Sequence, residues 1–146
     1  MATVAEAARL EPQARRALAQ YDVPEPTRLE LLTFSENAVF RAYFADRDPL
    51  IVRLHSVGYH TRAAVESELM WVDALRTQTD IPVPPVLRTA TGAGVVEACD
   101  PEFPSRFADV LGDLPGASPE TADMVADYRI LGRTTAELHR HASVWR

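Results

Sequence analysis

Cysteine is nearly absent: Cys99 is the only one in 146 residues. No intramolecular disulfide or thiolate zinc site can be built from one thiol, and a reducing, cytoplasmic setting is the default expectation. No apolar run reaches membrane-spanning length, which excludes a helical anchor within these residues. Met1 to Leu10 is alanine-rich and has no apolar h-region, so it does not read as a secretory signal. An excess of positive charge is missing too. The net charge is −6 and the pI about 5.2, which argues against non-specific binding to nucleic acid, where phosphate neutralisation supplies most of the affinity. The same balance leaves room for a local basic pocket and would suit a cationic small molecule. Internal repeats and low-complexity tracts are not found. Hydrophobic residues make up 47% and charged residues 25%, enough apolar material for one globular domain of ordinary size.

Periodicity and punctuation give the order of elements. Pro12 to Tyr21 has helical spacing in Ala14, Leu18 and Tyr21, and Val23-Pro24-Glu25-Pro26 breaks it. Leu29 to Phe34, Val39 to Ala45 and Leu50 to His55 read as three strands. They are joined by Ser35-Glu36-Asn37-Ala38 and by the turn Asp46-Arg47-Asp48-Pro49, and such short connections imply an antiparallel meander. In the third strand Leu50, Val52 and Leu54 share one face, and Ile51, Arg53 and His55 the other. A long helix is expected from Thr61 to Thr77. The proline-rich Asp80 to Pro85 cannot continue it. Val86 to Thr89 and Gly94 to Ala98 read as strands around a Thr91-Gly92 turn, and Phe107 to Leu111 as a last strand. Ser118 as N-cap and Pro119 at the first position open a final helix, in which Met124, Tyr128, Leu131, Thr135, Leu138 and Ala142 recur every three or four residues. The class is therefore α+β, with an antiparallel sheet of five or six strands, an N-terminal helix, a middle helix and a C-terminal helix.

Two positions carry candidate chemistry. Arg53 lies mid-strand among aliphatic residues, where a charge must be paired, reach solvent or meet a ligand. Glu68 lies in the following helix, flanking the stripe of Ala64, Val65 and Val72. A strand cation and a helix acid fifteen residues later match the spacing with which a kinase fold holds the phosphates of ATP. On spacing alone a surface arginine and a solvated glutamate are the favoured reading, because most surface ion pairs are incidental. Ser35-Glu36-Asn37-Ala38 sits where kinases place a phosphate loop. It lacks glycine, although Asn37 tolerates turn conformations and can donate a hydrogen bond. A simple hairpin turn is the alternative. His139 and His141, two apart on a helix, point to different sides and make a poor metal site. His139 is expected to make a structural hydrogen bond, and Trp71 and Trp145 to pack.

The ordered series of Ser35-Glu36-Asn37 before Phe40-Arg41, Leu50 to His55 with Gly58-Tyr59-His60, Glu68 to Val72, Ile81-Pro82-Val83-Pro84, Leu114-Pro115-Gly116, and Leu131-Gly132 with Leu138-His139 resembles the amino-terminal half of the aminoglycoside phosphotransferase and homoserine/choline kinase superfamily. The resemblance covers residues 15 to 142. It implies a protein-kinase-like N-lobe whose full-length parent binds ATP with Mg2+, with weak or absent binding by these residues alone. Arg53 would stand in the place of the phosphate-binding lysine, with Glu68 as its partner. Ser35 and Asn37 would lie in the phosphate loop, and Asp109 to Asp113, Leu111 included, at the hinge that meets the adenine edge. Arginine is not equivalent to lysine at such a site, and Glu36 would repel a triphosphate unless it points away. Residues 1–116 would form the nucleotide-binding lobe, and 117–146 a linker with the first helix of the second lobe.

The family's His-Gly-Asp catalytic loop and its later metal-binding Asp have no counterpart in this sequence: none of His55, His60, His139 and His141 is followed by Asp two places on, and no Asp follows Asp127. No catalytic residue and no metal ligand is therefore expected in the chain, which reads as an incomplete kinase whose parent phosphorylates a small-molecule hydroxyl. The apolar stripe of the last helix suggests a homodimer contact. A non-catalytic interaction module derived from the kinase fold is the alternative function.

Overall fold

A computed structural model describes residues 9–116 and 124–145. Eight elements follow in order: α1 (Glu11–Leu18), β1 (Arg28–Phe34), β2 (Asn37–Tyr43), β3 (Leu50–His55), α2 (Arg62–Gln78), β4 (Val95–Ala98), β5 (Arg106–Gly112) and α3 (Met124–Val144). The five strands form one sheet in the order β1-β2-β3-β5-β4, and every neighbouring pair is antiparallel. This is the expected α+β architecture, with three helices around the sheet.

The sheet buries both faces. On one, Phe40, Ala42, Leu50, Val52, Leu54, Ala108 and Val110 pack against Leu10, Ala14, Ala17 and Leu18 at α1. On the other, Val65 and Leu69 of α2 close over Val95 and Leu111, with Ile51 and Phe107 at the margin. β3 lies between the two helical layers: Leu50, Val52 and Leu54 lie under α1, and Ile51, Arg53 and His55 face α2.

Local chemistry sets the boundaries. Thr61 caps α2 through its hydroxyl, which accepts from the Ala64 N–H at 3.2 Å. α1 is shorter than its sequence pattern. It stops at Leu18, and the chain tightens so that the Gln20 and Tyr21 N–H groups donate to Ala17 and Leu18. Tyr21 turns back into the core, and its hydroxyl donates to the Gly94 carbonyl at 2.8 Å.

The segment expected as a strand over Val86 to Thr89 is not one. It contributes only a bridge between Val86 and Leu111. β4 takes the Arg106–Asp109 part of the β5 edge, and the 85–87 segment lies beside the rest. There the Leu87 N–H donates to Val110 and the Gly112 N–H to Pro85, both at 2.9 Å. Pro84 and Pro85 have no N–H to offer, so a longer ladder cannot form there. The expected cap at Ser118 and Pro119 lies outside the described residues.

α3 meets α2 through two hydrogen bonds of His141. The Trp71 indole N–H donates to His141 Nδ1 at 3.1 Å, and His141 Nε2 lies 2.9 Å from Gln78 Oε1. The structural histidine of this helix is thus His141, which is buried, while His139 is exposed. Trp71 packs as expected, its ring 6.5 Å from that of Trp145.

Candidate nucleotide site

Sheet register brings the polar residues of the α2 face into rows. In one row Val39, Arg53 and Asp109 are cross-strand neighbours, in the next Arg41, Ile51 and Leu111, and Asn37 faces His55 on the opposite side of the Arg53 row. Direct antiparallel partners share a face. Arg53 therefore projects between β2 and β5 toward α2, where Glu68 waits.

The guanidinium of Arg53 is held from two sides. Nη1 donates to Glu68 Oε1 at 2.7 Å. Nε and Nη2 donate side-on to the two oxygens of Asp109, at 2.8 and 3.1 Å. Asp109 is completely buried, whereas the Arg53 side chain is 18% and that of Glu68 44% exposed. The group thus runs from the sheet interior to solvent. Burial works against the charge of Arg53, but the adjacent Asp109, with Glu68 behind it, outweighs burial and holds the guanidinium protonated above its ordinary range.

His55 completes the cluster. Its Nε2 lies 2.6 Å from Asp109 Oδ2. A carboxylate oxygen accepts, so Nε2 carries the hydrogen. The ring is almost wholly buried, and its Nδ1 has no hydrogen-bond partner. Across the strand pair, Asn37 Oδ1 is likewise buried and unpartnered. Two orphan polar atoms on facing residues mark the loop end of the site as polar and incompletely satisfied.

The expected pair of Arg53 and Glu68 is thus in contact. Ser35 and Asn37 lie at the β1–β2 turn, with Ser35 exposed and Asn37 opening β2. The hinge expectation falls on Asp109 to Asp113. Asp109 to Gly112 lie inside β5, where Asp109 pairs with Arg53 and Val95, and Leu111 with Ile51 and Val86. Their backbones are committed to the sheet on both sides, and the Leu111 side chain is buried beside Val65 and Leu69. Only Asp113 and the residues after it leave the sheet. Asp113 forms an ion pair with Arg41, Nε to Oδ2 at 2.9 Å.

Asp109 as the side-chain partner of Arg53, and His55 behind it, were not anticipated. A signal existed: a carboxylate between Phe107, Ala108, Val110 and Leu111 is as anomalous as an arginine among aliphatic residues. The rule that finds one charge finds the other. Among the described residues no cluster of three or more His, Cys, Asp or Glu is placed to hold a metal ion. Asp109 is engaged by Arg53 and His55, and Glu68 by Arg53.

Comparison with known proteins bears on the fold and the family. Residues 30–144 match the model of the phosphotransferase enzyme family. A solved structure described as the microcompartment-associated aminopropanol kinase superposes with a TM-score of 0.78 at 36% identity, over 95% of this chain and 42% of that one. The chain thus spans about two fifths of that kinase's length. No curated protein matches.

Proposed function

The chain belongs to the phosphotransferase enzyme family, and on that premise we propose that it forms the nucleotide-binding lobe of an ATP-dependent small-molecule kinase. The observation that carries the reading is the 2.7 Å contact between Arg53 and Glu68 across the sheet and α2. In phosphoryl transfer such an ion pair fixes a cation against the phosphates of ATP, and positioning with charge neutralisation provides most of the rate. Three of the five guanidinium N–H groups of Arg53 are taken by Asp109 and Glu68, which leaves two for phosphate oxygens. Ser35 and Asn37 stand at the turn that would cover them. Residues 1–116 are the lobe proper, and 117–146 lead into a second lobe. Magnesium, where it accompanies ATP, would be held by groups outside the described site, so the 146 residues alone are expected to bind nucleotide without turning it over. The acceptor is a small-molecule hydroxyl. Similarity to an aminopropanol kinase makes short amino alcohols the first class to try, and the cytoplasm is the expected compartment.

Titration calorimetry with MgATP tests the reading. The chain should bind, and Arg53→Ala should weaken binding at least tenfold, as expected for loss of a charged hydrogen-bonding group. Equal affinity in the two proteins would remove Arg53 from the site.

One observation favours a second reading, a self-association module. Met124, Tyr128, Ile130 and Leu131 on α3 are all more than half exposed, and a large exposed apolar surface commonly marks an interface. Sedimentation should then show a concentration-dependent dimer that Leu131→Glu disperses. A monomer at all concentrations excludes it.

A further inference from the structure

All 15 basic residues other than histidine are arginines, and the chain has no lysine. Arginine at position 53 is therefore uninformative by its identity alone. Its surroundings are not. Asp109 accepts from Nε and Nη2 together, a side-on fork that only a guanidinium can fill and an ammonium group cannot. Asp109 is completely buried on β5, and its Oδ2 is held a second time by the His55 ring, also buried. A buried carboxylate clamped from both sides has one rotamer available. The guanidinium it grips has two of its five N–H groups unclaimed, on the side chain's Nη1 and Nη2 atoms.

We propose that Asp109 and His55 are positioning residues for a nucleotide phosphate. His55 fixes the Asp109 carboxylate, Asp109 fixes the plane of Arg53, and the two unclaimed N–H groups of Arg53 take the phosphate oxygens. Glu68, at 44% exposure the outermost member, steadies one edge of the guanidinium but does not set its plane. The cluster also lies beside the turn before β2, because His55 is the cross-strand neighbour of Asn37. Charge supports an assisted role. Asp109 and Glu68 offset the charge of Arg53, so its hold on phosphate depends on directed hydrogen bonds as well as on charge, and their strength depends on orientation. This inference rests on the nucleotide-binding reading above.

The test compares MgATP with adenosine, which lacks phosphate, by calorimetry on the chain and on Asp109→Asn. It adds the Arg53 Nε–H cross-peak in a 15N-correlated NMR spectrum, which needs no nucleotide. The wild type should bind MgATP more tightly than adenosine and show a slowly exchanging Nε–H. Asp109→Asn should lose that protection and weaken MgATP about tenfold, as for a lost charge-assisted bond, with adenosine unchanged. His55→Gln should weaken MgATP by a smaller factor in the same direction, and it decides the matter if Asp109→Asn does not fold. A folded variant that loses the protected Nε–H but keeps the MgATP-to-adenosine ratio overturns the positioning role and leaves nucleotide binding standing. So does a variant in which both ligands weaken equally. A wild type that binds neither ligand overturns the nucleotide reading and this inference with it.

Discussion

Tyr21 shows how one side chain ties α1 to the sheet. Its ring is buried among the α1-side core residues, and its hydroxyl donates to Gly94 just before β4. Burial, with the negative charge of Asp109 adding to it, raises the phenol well above its usual value of about 10. A group whose native pKa is raised contributes stability that is complete below its unfolded pKa and is lost as pH rises toward the native one. The window therefore opens at about pH 10. Tyr21→Phe keeps the ring and removes the ionisable hydroxyl. At pH 8 it should cost about 1 kcal/mol for the lost hydrogen bond. Above about pH 10 its stability should fall less steeply than that of the wild type. Urea melts at several alkaline pH values would measure both, and parallel slopes would show that the tyrosine ionises as easily in the folded protein as in the unfolded one.

Among the elements, β5 is the one on which the others converge. It pairs with β3 from Ala108 to Gly112 on one edge. On the other it receives β4 and then the 85–87 segment. Gly112 ends it under Pro85, so close that a Cβ there would stand 2.6 Å from Pro85 Cγ. Gly112→Ala must push the proline ring away and strain the Gly112-to-Pro85 hydrogen bond. A loss of about 1–3 kcal/mol in a denaturant melt is expected from overpacking of this kind. At α2 the opposite experiment applies. Thr61→Ala removes the cap on the Ala64 N–H and should lower stability by about 1 kcal/mol, with Thr61→Ser restoring most of it.

These elements also show what a one-dimensional reading reaches. The bounds of β3, the extent of α2 and its Thr61 start, and the pairing of Arg53 with Glu68 follow from short-range patterns: alternation, a cap, and a strand-to-helix spacing. Asp109 escaped because its partner is 56 residues away and the β3–β5 register is set by the whole sheet. Val86 to Thr89 looked like a strand because its residues favour one, but the two prolines before it and the prior claim of β4 on β5 leave it a single bridge. His139 and His141 differ only in which side of α3 meets α2, and nothing within the helix encodes that.

At the scale of the whole molecule, the question is what holds α3 to the rest. Its first half presents apolar residues outward, and its anchoring lies near its far end. There His141 is sandwiched by Trp71 and Gln78 of α2. The Trp71 indole can only donate, so Nδ1 must be bare, and Nε2 must carry the hydrogen that the Gln78 oxygen accepts. One neutral tautomer meets both demands. His141→Ala removes two hydrogen bonds and opens space beside Trp71, while leaving the sheet, α1 and the Arg53 cluster untouched. The global unfolding free energy should drop by about 1–2 kcal/mol. The local effect should be larger, because His141 is the buried residue of α3 among those described and joins it to α2 beside the ring contact of Trp145 with Trp71. Trp71 emission should shift to the red, and limited proteolysis should cut between residues 124 and 145 well before the sheet yields. If α3 resists protease as well in His141→Ala as in the wild type, its attachment is carried by packing along α2, and the histidine is a passenger in it.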